Sequence, residues 1–364
     1  MRPRAALGGF ALAFTPGFNL ANVGAVADHV SDAYGIRLAV VGLFTTALFV
    51  THAALQIPMG RLSDRFGARL VGGTGLAIVA VASAVTLGWK EAWFAIAMRF
   101  VAGIGTAASF VAGAEYMRAT IGSAFAQGVY GAVSMAGGGL ALALVPLWPS
   151  WRAPFATAAA VAAVGLLLVA VASREPARVR RPRRDLPTVV DSRLFPLAAM
   201  HAASFGLSVV VGNWVVTLLH RAGGESEQVA GLAGGLVLFL GVISRPAGGR
   251  FADHLGLIRA SFVVCAIGIA GLALAQPLAL MILASGLVGI SAGVPFAPAF
   301  AGAQRIRPDA PAAAIGFVNM VAAVTILVGT PLLGLTFSLP GDGRLGFLIV
   351  AALCASTALV VRRV

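Results

Sequence analysis

Residues 60–67 read GRLSDRFG, and residues 249–256 read GRFADHLG. The two copies share the frame Gly-Arg-x-x-Asp-x-x-Gly and lie 249 − 60 = 189 positions apart. Each copy follows a proline, Pro58 or Pro246, at the end of a long apolar run. Polar motifs at matching places in two apolar halves predict an internally duplicated membrane protein. We refer to 60–67 as the first motif and to 249–256 as the second motif.

The composition of the whole chain supports a membrane protein. Of the 364 residues, 59% are hydrophobic and 11% are charged, and the mean hydropathy is +0.93. Ordinary soluble domains carry about 25% charged residues. A transmembrane helix needs about 20 apolar residues, so twelve spans would use about 240 positions and leave short loops. The composition therefore excludes an ordinary soluble protein.

Twelve apolar segments predict twelve transmembrane helices, because backbone polar groups in lipid have to be satisfied within the segment. We expect a six-helix bundle in residues 1–173, a basic linker in 174–192 and a second six-helix bundle in 193–364. The apolar stretch after MRPR at positions 1–4 is interpreted as the first helix and not as a cleaved signal peptide. The predicted spans are 5–28, 38–59, 69–88, 92–115, 124–147, 153–173, 193–218, 228–248, 258–276, 278–303, 311–336 and 344–361.

The positive charge predicts the orientation of the chain in the membrane. The formal net charge is +13. Nineteen of the 26 Lys and Arg residues lie on the side of the two motifs, counting the linker up to Arg193, and five lie on the opposite side. Basic residues concentrate on the cytoplasmic side. We therefore expect the protein in the cell inner (plasma) membrane, with both termini and the linker on the cytoplasmic side. We expect no nucleic-acid partner.

Neither a metal site nor an enzyme site is indicated. The two cysteines, Cys265 and Cys354, both fall inside predicted spans, so neither a disulfide framework nor a metal site is expected. The sequence shows no phosphate-binding loop and no nucleophile constellation. We expect no enzymatic activity and no cofactor.

With Arg65 inside it and Arg69 just after it, the first motif resembles the signature loop after the second helix of the major facilitator superfamily (MFS). The second motif, with His254 in place of the first arginine, resembles the degenerate partner after the eighth helix. The resemblance implies a monomeric secondary transporter working by alternating access, in which Asp64 caps a facing helix and pairs with an arginine. The implied latch residues are Gly60, Arg61, Asp64, Arg65, Gly67, Arg69, Gly249, Arg250, Asp253 and Gly256.

A second repeat relates helix five to helix eleven. Residues 131–135 read GAVSM and 316–320 read GFVNM, a shift of 316 − 131 = 185, and each is followed by a proline, Pro146 or Pro331. This repeat supports two parallel six-helix halves, each built from two three-helix units.

All but two of the 26 Lys and Arg residues lie in loops or at the ends of the predicted spans, and Arg245 is one of these two. A buried charge in a membrane marks a functional site. Arg245 resembles the helix-eight arginine that binds anions in nitrate/nitrite porters and in small-carboxylate transporters. The planar guanidinium pairs with planar oxyanions through two hydrogen bonds. Nitrate/nitrite porters carry a second arginine where this chain has Gln56, the repeat mate of Arg245, since 245 − 189 = 56. The alternative is that Arg245 only braces helix eight.

Other polar residues in the spans are candidate cavity lining. Arg99 is the second basic residue inside a span, and it either contacts substrate or serves as a packing post. The superfamily resemblance places helices one, four, seven and ten along the cavity, with two, five, eight and eleven beside them. For every polar lining candidate the alternative is a hydrogen bond between helices. The remaining candidates are His52, Asn19, Asn22, His201, Ser204, Ser208 and Asn319.

The acidic residues give no sign of a carboxylate relay. None is predicted near the membrane midplane, and Glu115 lies at the end of helix four. His52 and His201 could titrate instead, since an unperturbed imidazole has a pKa near 6.5. We expect a transported small anion, inorganic or a small carboxylate, with a coupling proton or a counter-anion as possible partners. The alternatives are a drug or metabolite exporter and a transporter-like sensor.

Overall fold

The computed structural model describes residues 3–36, 38–148, 150–173, 175, 191–274 and 277–361. The linker predicted at 174–192 lies outside the described residues, except for positions 175, 191 and 192. In the described part of the chain, twelve long helical segments, α1–α12, follow one another in the order that the sequence predicts. They are α1 Pro3–Ala21, α2 Leu38–Ala54 with Gln56–Phe66, α3 Ala68–Thr86, α4 Ala92–Thr120, α5 Ala124–Leu144, α6 Ala153–Val171, α7 Leu194–His201 continued by Ala202–Leu207 and Ser208–Arg221, α8 Glu227–Phe239 with Gly241–Arg250, α9 Leu255–Leu274, α10 Leu278–Gly293 with Phe296–Ile306, α11 Pro311–Leu335 and α12 Arg344–Thr357.

The helices are long and apolar enough for a membrane. In the part of the chain that the structure describes, eight pass a length and hydropathy test for a span, and α2 passes as a ninth when its two bent pieces are joined. Large apolar side chains such as Leu167, Leu232 and Leu274 are exposed on the outer faces, where lipid would cover them. Trp89 and Trp93 are exposed at the connection from α3 to α4, as tryptophans at a membrane interface are.

Breaks in α2 and α10 lie close to prolines. The two pieces of α2 meet at 51° around Leu55. Pro58 has no N–H to donate to the carbonyl of Ala54, four residues earlier, so the helix bends there. In α10 the break at residues 294–295 precedes Pro298, which cannot donate to Val294.

The two largest differences from the predicted spans are at the ends of α2 and α1. The first motif was expected to be a loop after a span ending at 59, but Gly60–Phe66 is helical and the helix ends at Gly67, whose φ is +100°. The first span was expected to reach 28, but α1 ends at Ala21, and a separate short helix, Ala27–Tyr34, follows it. Hydropathy does not mark the end of α1, because residues 22–27, NVGAVA, remain mostly apolar after it.

Two equivalent helix pairs join the halves of the chain. Helix α2 packs on α11, and α5 packs on α8. A Cβ built on Gly60 would lie 2.6 Å from the carbonyl oxygen of Ala312, and one built on Gly249 would lie 2.4 Å from that of Ala124. These shifts, 249 − 60 = 189 and 312 − 124 = 188, show that a pseudo-twofold relation connects the pairs. Only glycine permits such close backbone approach.

The same relation corrects the second repeat. A Cβ on Gly128 would lie 2.2 Å from the carbonyl oxygen of Arg245, and one on Gly316 would lie 2.4 Å from that of Gln56. The equivalent glycines are therefore Gly128 and Gly316, a shift of 316 − 128 = 188, and not Gly131 and Gly316. Positions three apart share a helix face, so the sequence pattern alone permits either register.

Candidate functional site

Arg245 lies buried where the two halves meet. Its side chain is in the second piece of α8 and only 2% of the residue is exposed. Nη1 donates to the carbonyl oxygen of Gly131 on α5, at 2.8 Å. The guanidinium carbon is 4.2 Å from the ring centre of Phe296 and 5.4 Å from that of Phe205. Ring faces attract a cation, so these aromatics hold the guanidinium while leaving its edge available.

Aromatic rings from both halves surround this position. Phe110 of α4 has its ring centre 6.5 Å from that of Phe205 on α7 and 6.2 Å from that of Phe300 on α10. Phe296 and Phe300 are 4.7 Å apart. Sequence reasoning did not select these phenylalanines, because an apolar ring in an apolar span gives no signal of its own. The result is a low-dielectric, aromatic environment around a charge.

Two further polar side chains enter the same cluster from α7 and α11. Nε2 of His201 is 3.0 Å from Oδ1 of Asn319, and the imidazole packs 4.8 Å from the ring of Phe300. Both residues are fully buried. Nδ1 of His201 and Nδ2 of Asn319 have no protein partner. Buried polar atoms are normally paired, so these atoms are candidates for ligand contact.

Gln56 and Arg245 also carry unpaired polar atoms. Gln56 is fully buried, and both its Oε1 and its Nε2 lack a partner. Nε of Arg245 is unpaired as well, and none of the described carboxylates forms a salt bridge with it. The pseudo-twofold relation makes positions 56 and 245 equivalent. Of the residues predicted to bind substrate, Arg245, Gln56, His201 and Asn319 are thus the ones with unpaired buried polar atoms.

Arg99 is fully engaged by neighbouring helices. Its Nη1 and Nη2 donate to the side-chain and main-chain oxygens of Asn19 at 3.1 and 2.6 Å, and Nε donates to the carbonyl of Phe44 at 3.3 Å. These bonds tie α4 to α1 and α2. The packing interpretation therefore describes the geometry of Arg99 and of Asn19 better than substrate contact does.

Three other candidates also make bonds between helices. Asn22 donates to the carbonyl of Pro154 at 2.8 Å, and Ser204 donates to that of Ala292 at 2.6 Å. Nδ1 of His52 is 3.0 Å from the hydroxyl oxygen of Thr106. Ser208 bonds within its own helix, to the carbonyl of Ser204. These side chains have partners and need no ligand to satisfy them.

The first motif contacts the other half directly. The carboxylate oxygens of Asp64 accept hydrogen bonds from the backbone nitrogens of Ala312 and Ala313, at 3.2 and 3.0 Å. These nitrogens belong to the first turn of α11, where unsatisfied N–H groups and the helix dipole favour negative charge. Arg118 attracts Asp64 electrostatically and pairs with the buried Glu115 at 2.7 Å. The arrangement links α2, α4 and α11.

Arg69, which was assigned to the latch, makes its described hydrogen bonds within the first half of the chain. Its Nε donates to the carbonyl of Val169 at 2.9 Å and its Nη2 to that of Ala170, at the end of α6. Glu175 in turn accepts bonds from the backbone nitrogens of Ala68 and Arg69, at 3.1 and 3.3 Å. The two side chains cap opposite ends of neighbouring helices within one half. Arg65 instead stacks on Phe66, 4.9 Å from the ring centre.

The second motif does not reproduce the contact of the first. The side chain of Asp253 is 87% exposed and lies 3.8 Å from Arg305. The start of α5 is capped by Ser123, whose hydroxyl accepts from the nitrogen of Ala126. Gln304 stands at the position equivalent to Glu115, since 115 + 189 = 304. The halves are therefore joined by a charged contact at α11 that has no counterpart at α5 among the described residues.

Replacing Asp64 by asparagine tests this contact. Asp64→Asn removes the charge that interacts with the start of α11 and with Arg118, but it leaves the cluster around Arg245 intact. We expect near-normal substrate affinity and a slower turnover. The check is to measure equilibrium binding and exchange rate on one preparation. Normal exchange with lost binding would show that Asp64 acts elsewhere.

The profile of the Major Facilitator Superfamily matches residues 9–330. The chain belongs to the major facilitator superfamily. It is a multi-pass membrane transporter and not an enzyme. No curated protein sequence matches the chain.

Two crystal structures of the MFS transporter FucP share the fold, one described as the fucose:proton symporter of E. coli and the other as the outward conformation. Each superposes with a TM-score of 0.77 over 100% of this chain and 98% of the other, at 14% sequence identity. The fold class predicted from the sequence, twelve helices in the MFS arrangement, is confirmed.

Proposed function

We propose that this MFS protein moves a small anion, inorganic or a small carboxylate, by alternating access, and that Arg245 binds the anion. The observation that supports the proposal is the surroundings of the Arg245 guanidinium. It is buried among aromatic rings, makes one protein hydrogen bond through Nη1, and has no described carboxylate partner. A buried charge without a counter-charge is unfavourable, and a bound anion would supply that counter-charge.

A second candidate is export of a drug or metabolite with Arg245 as a structural brace. The bond from Arg245 to the carbonyl of Gly131 favours this alternative, because it joins α8 to α5. A brace needs no further partner, whereas Nε of Arg245 remains unpaired. FucP is a symporter of a sugar and protons, but at 14% identity its likeness to this chain concerns the fold only. The anion proposal therefore stands first.

In this proposal the two halves rock around Arg245. The contact of Asp64 with the start of α11 would stabilise the state closed on the side of the motifs. Asp64 adds charge to the close glycine contact between α2 and α11, and the equivalent contact between α5 and α8 has no such charge among the described residues. The cycle would then alternate between breaking and remaking these contacts.

Coupling to protons would require a titratable group near Arg245. Among the described residues, Glu115 is the acidic residue that is fully buried, and it pairs with Arg118 on the side of the motifs. Asp191, outside the membrane, accepts a hydrogen bond from Arg193 that lowers its pKa to about 2, so it stays ionised at neutral pH. The cluster itself offers His201, with His52 nearby on α2. Anion exchange needs neither.

In the proposed orientation, the protein lies in the cell inner membrane, and the motifs and both termini face the cytoplasm. Ser192, exposed just before α7, is a suitable reporter in a background without Cys265 and Cys354. We expect a cysteine at Ser192 to react with a membrane-impermeant maleimide only after the cells are opened. Labelling in intact cells would show that the proposed orientation is wrong and that Ser192 faces the outside.

A counterflow measurement tests the function. Purified protein in vesicles preloaded with an unlabelled anion should accumulate the same labelled anion transiently, with nitrate and small carboxylates as probes. Efflux of a lipophilic dye without anion counterflow would favour the exporter. Ligand-dependent stabilisation without any counterflow would favour a sensor.

A further inference from the structure

Two helices lose their regular α-helical geometry where they reach Arg245. In α7, Ala202–Leu207 form a π-helical turn. In α10, the helix is interrupted at residues 294–295, where Pro295 has no N–H to donate. π-Helical turns are rare and often occur at functional sites, and this one lies beside a buried charge.

Each irregular turn carries one of the two rings that contact Arg245. Phe205 belongs to the π-helical turn, and its ring centre is 5.4 Å from the guanidinium carbon. Phe296 is the first residue of α10 after the break, and its ring centre is 4.2 Å from that carbon. A cation is attracted by the face of a ring. The position of the guanidinium therefore depends on the geometry of both turns.

Ser204 joins the two turns. It is buried and directly precedes Phe205. Its hydroxyl donates to the carbonyl of Ala292, two residues before the break in α10, at 2.6 Å. Its own carbonyl accepts a hydrogen bond from the hydroxyl of Ser208. One serine thus connects the turn that carries Phe205 to the break that precedes Phe296.

The packing of α7 on α11 shows where α7 has extra length. Three contacts join the two helices: His201 with Asn319, Gly206 with Ala322, and Trp214 with Thr330. Between the first and second contacts α7 spans 206 − 201 = 5 positions, whereas α11 spans 322 − 319 = 3. Between the second and third, 214 − 206 and 330 − 322 are both 8. The extra length of α7 therefore lies in the π-helical turn.

The repeat counterpart of this turn is regular. Gly17 of α1 corresponds to Gly206, since 206 − 189 = 17. Both glycines approach a carbonyl of the neighbouring helix, that of Ser134 and that of Ala322. Yet α1 is α-helical throughout Pro3–Ala21. The π-helical turn thus accompanies the half that carries the buried charge and is not a general feature of the repeat.

We propose that Ser204 is a positioning residue of the anion site: by joining the two irregular turns, it holds Phe205 and Phe296 against Arg245 and so sets the orientation of the guanidinium. This inference rests on the proposed anion transport. The hydrogen bond from Nη1 to the carbonyl of Gly131 fixes one end of the guanidinium, and the rings fix its face. Ser204 acts on the anion through these rings and does not touch it.

Point variants of the full-length protein in nanodiscs test this role, with labelled nitrate and labelled acetate as probes. Ser204→Ala removes the hydroxyl, and Ser204→Thr keeps it. Thr51→Val is the matched control, because the hydroxyl of Thr51 also donates to a carbonyl of another helix, that of Phe100 at 2.7 Å, within the first half. Melting temperatures verify folding. If Ser204→Ala does not fold, Ser204→Cys, whose thiol is a weaker donor, replaces it.

We expect Ser204→Ala to bind the anion about fivefold more weakly than wild type, the factor for one hydrogen bond of about 1 kcal/mol. Ser204→Thr should recover most of that loss. Thr51→Val should melt at a lower temperature and keep its affinity. Phe205→Leu should also bind more weakly. The double variant Ser204→Ala/Phe205→Leu should lose less than the sum of the two single losses, because the serine acts through the ring.

The outcomes separate this inference from the proposed function. Anion binding may not depend on Arg245: if neither anion binds wild type, or if Arg245→Lys binds equally well, both ideas are overturned. Four other results overturn the inference alone and leave anion transport standing. They are unchanged affinity in Ser204→Ala, no recovery in Ser204→Thr, an equal loss in Thr51→Val, and fully additive losses in the double variant. Failure of both the alanine and the cysteine variant to fold would assign Ser204 to folding and also overturn the inference.

Discussion

Arg245→Ala should weaken anion binding by about 2–5 kcal/mol, the range for truncating one partner of a buried charge pair. Arg245→Lys keeps the charge but should also bind more weakly, because an ammonium does not supply the planar fork. The rings of Phe205 and Phe296 should still accommodate the lysine stem. Equilibrium binding of a labelled anion to the three proteins measures both effects.

The structural alternative predicts another pattern for the same variants. If Arg245 only joins α8 to α5 through the carbonyl of Gly131, a lysine should keep most of that bond and leave ligand binding unchanged. The alanine variant should then lose stability in the absence of any ligand. Wild-type anion affinity in both variants would refute the proposal that Arg245 binds the anion.

Gly128→Ala should have the second large effect. The added Cβ would lie 2.2 Å from the carbonyl oxygen of Arg245, a separation that forces α5 and α8 apart on the side of the motifs. We expect the closed state on that side to be depopulated and exchange to fall at least tenfold, which corresponds to about 1.4 kcal/mol. Gly316→Ala, at the equivalent contact with Gln56, should lower the exchange rate in the same way.

Spin labels at Leu62 and Phe251 report this opening. Both residues are exposed and stand 251 − 62 = 189 positions apart, one at each motif. The distance distribution should shift to longer values in Gly128→Ala. Gly235→Ala is the matched control, since a Cβ there meets nothing within 4 Å. Equal distributions in the two variants would show that the glycine contact does not set the closed state.

The sequence predicts the fold well because its determinants are local and repeated. Apolar runs of membrane length and two polar motifs specify twelve helices and their order. Three features were not predicted: the bend at Leu55, the bend in α10 and the early end of α1. Hydropathy stays high across all three, and a proline can lie several residues away from the break that it causes. The shift of 185 was wrong by three because residues three apart share a helix face, so the sequence pattern permits either register.

The site is predicted only in part. Arg245 and Gln56 follow from charge and repeat position, since an ionisable residue in an apolar span is rare. The phenylalanines around Arg245 give no such signal. The partners of Arg99 and the exposure of Asp253 depend on which neighbour each side chain meets, and that choice is made by tertiary packing and not by the residue type.

Melting temperature against anion concentration tests the central claim, that Arg245 is buried for a ligand. Wild type should be stabilised in proportion to the logarithm of anion concentration, by about 2.7 kcal/mol at a hundred times Kd. Arg245→Lys should melt at the same temperature without anion and respond far less to it. A lysine variant that melts lower without anion, yet gains as much from anion as wild type does, would contradict the account.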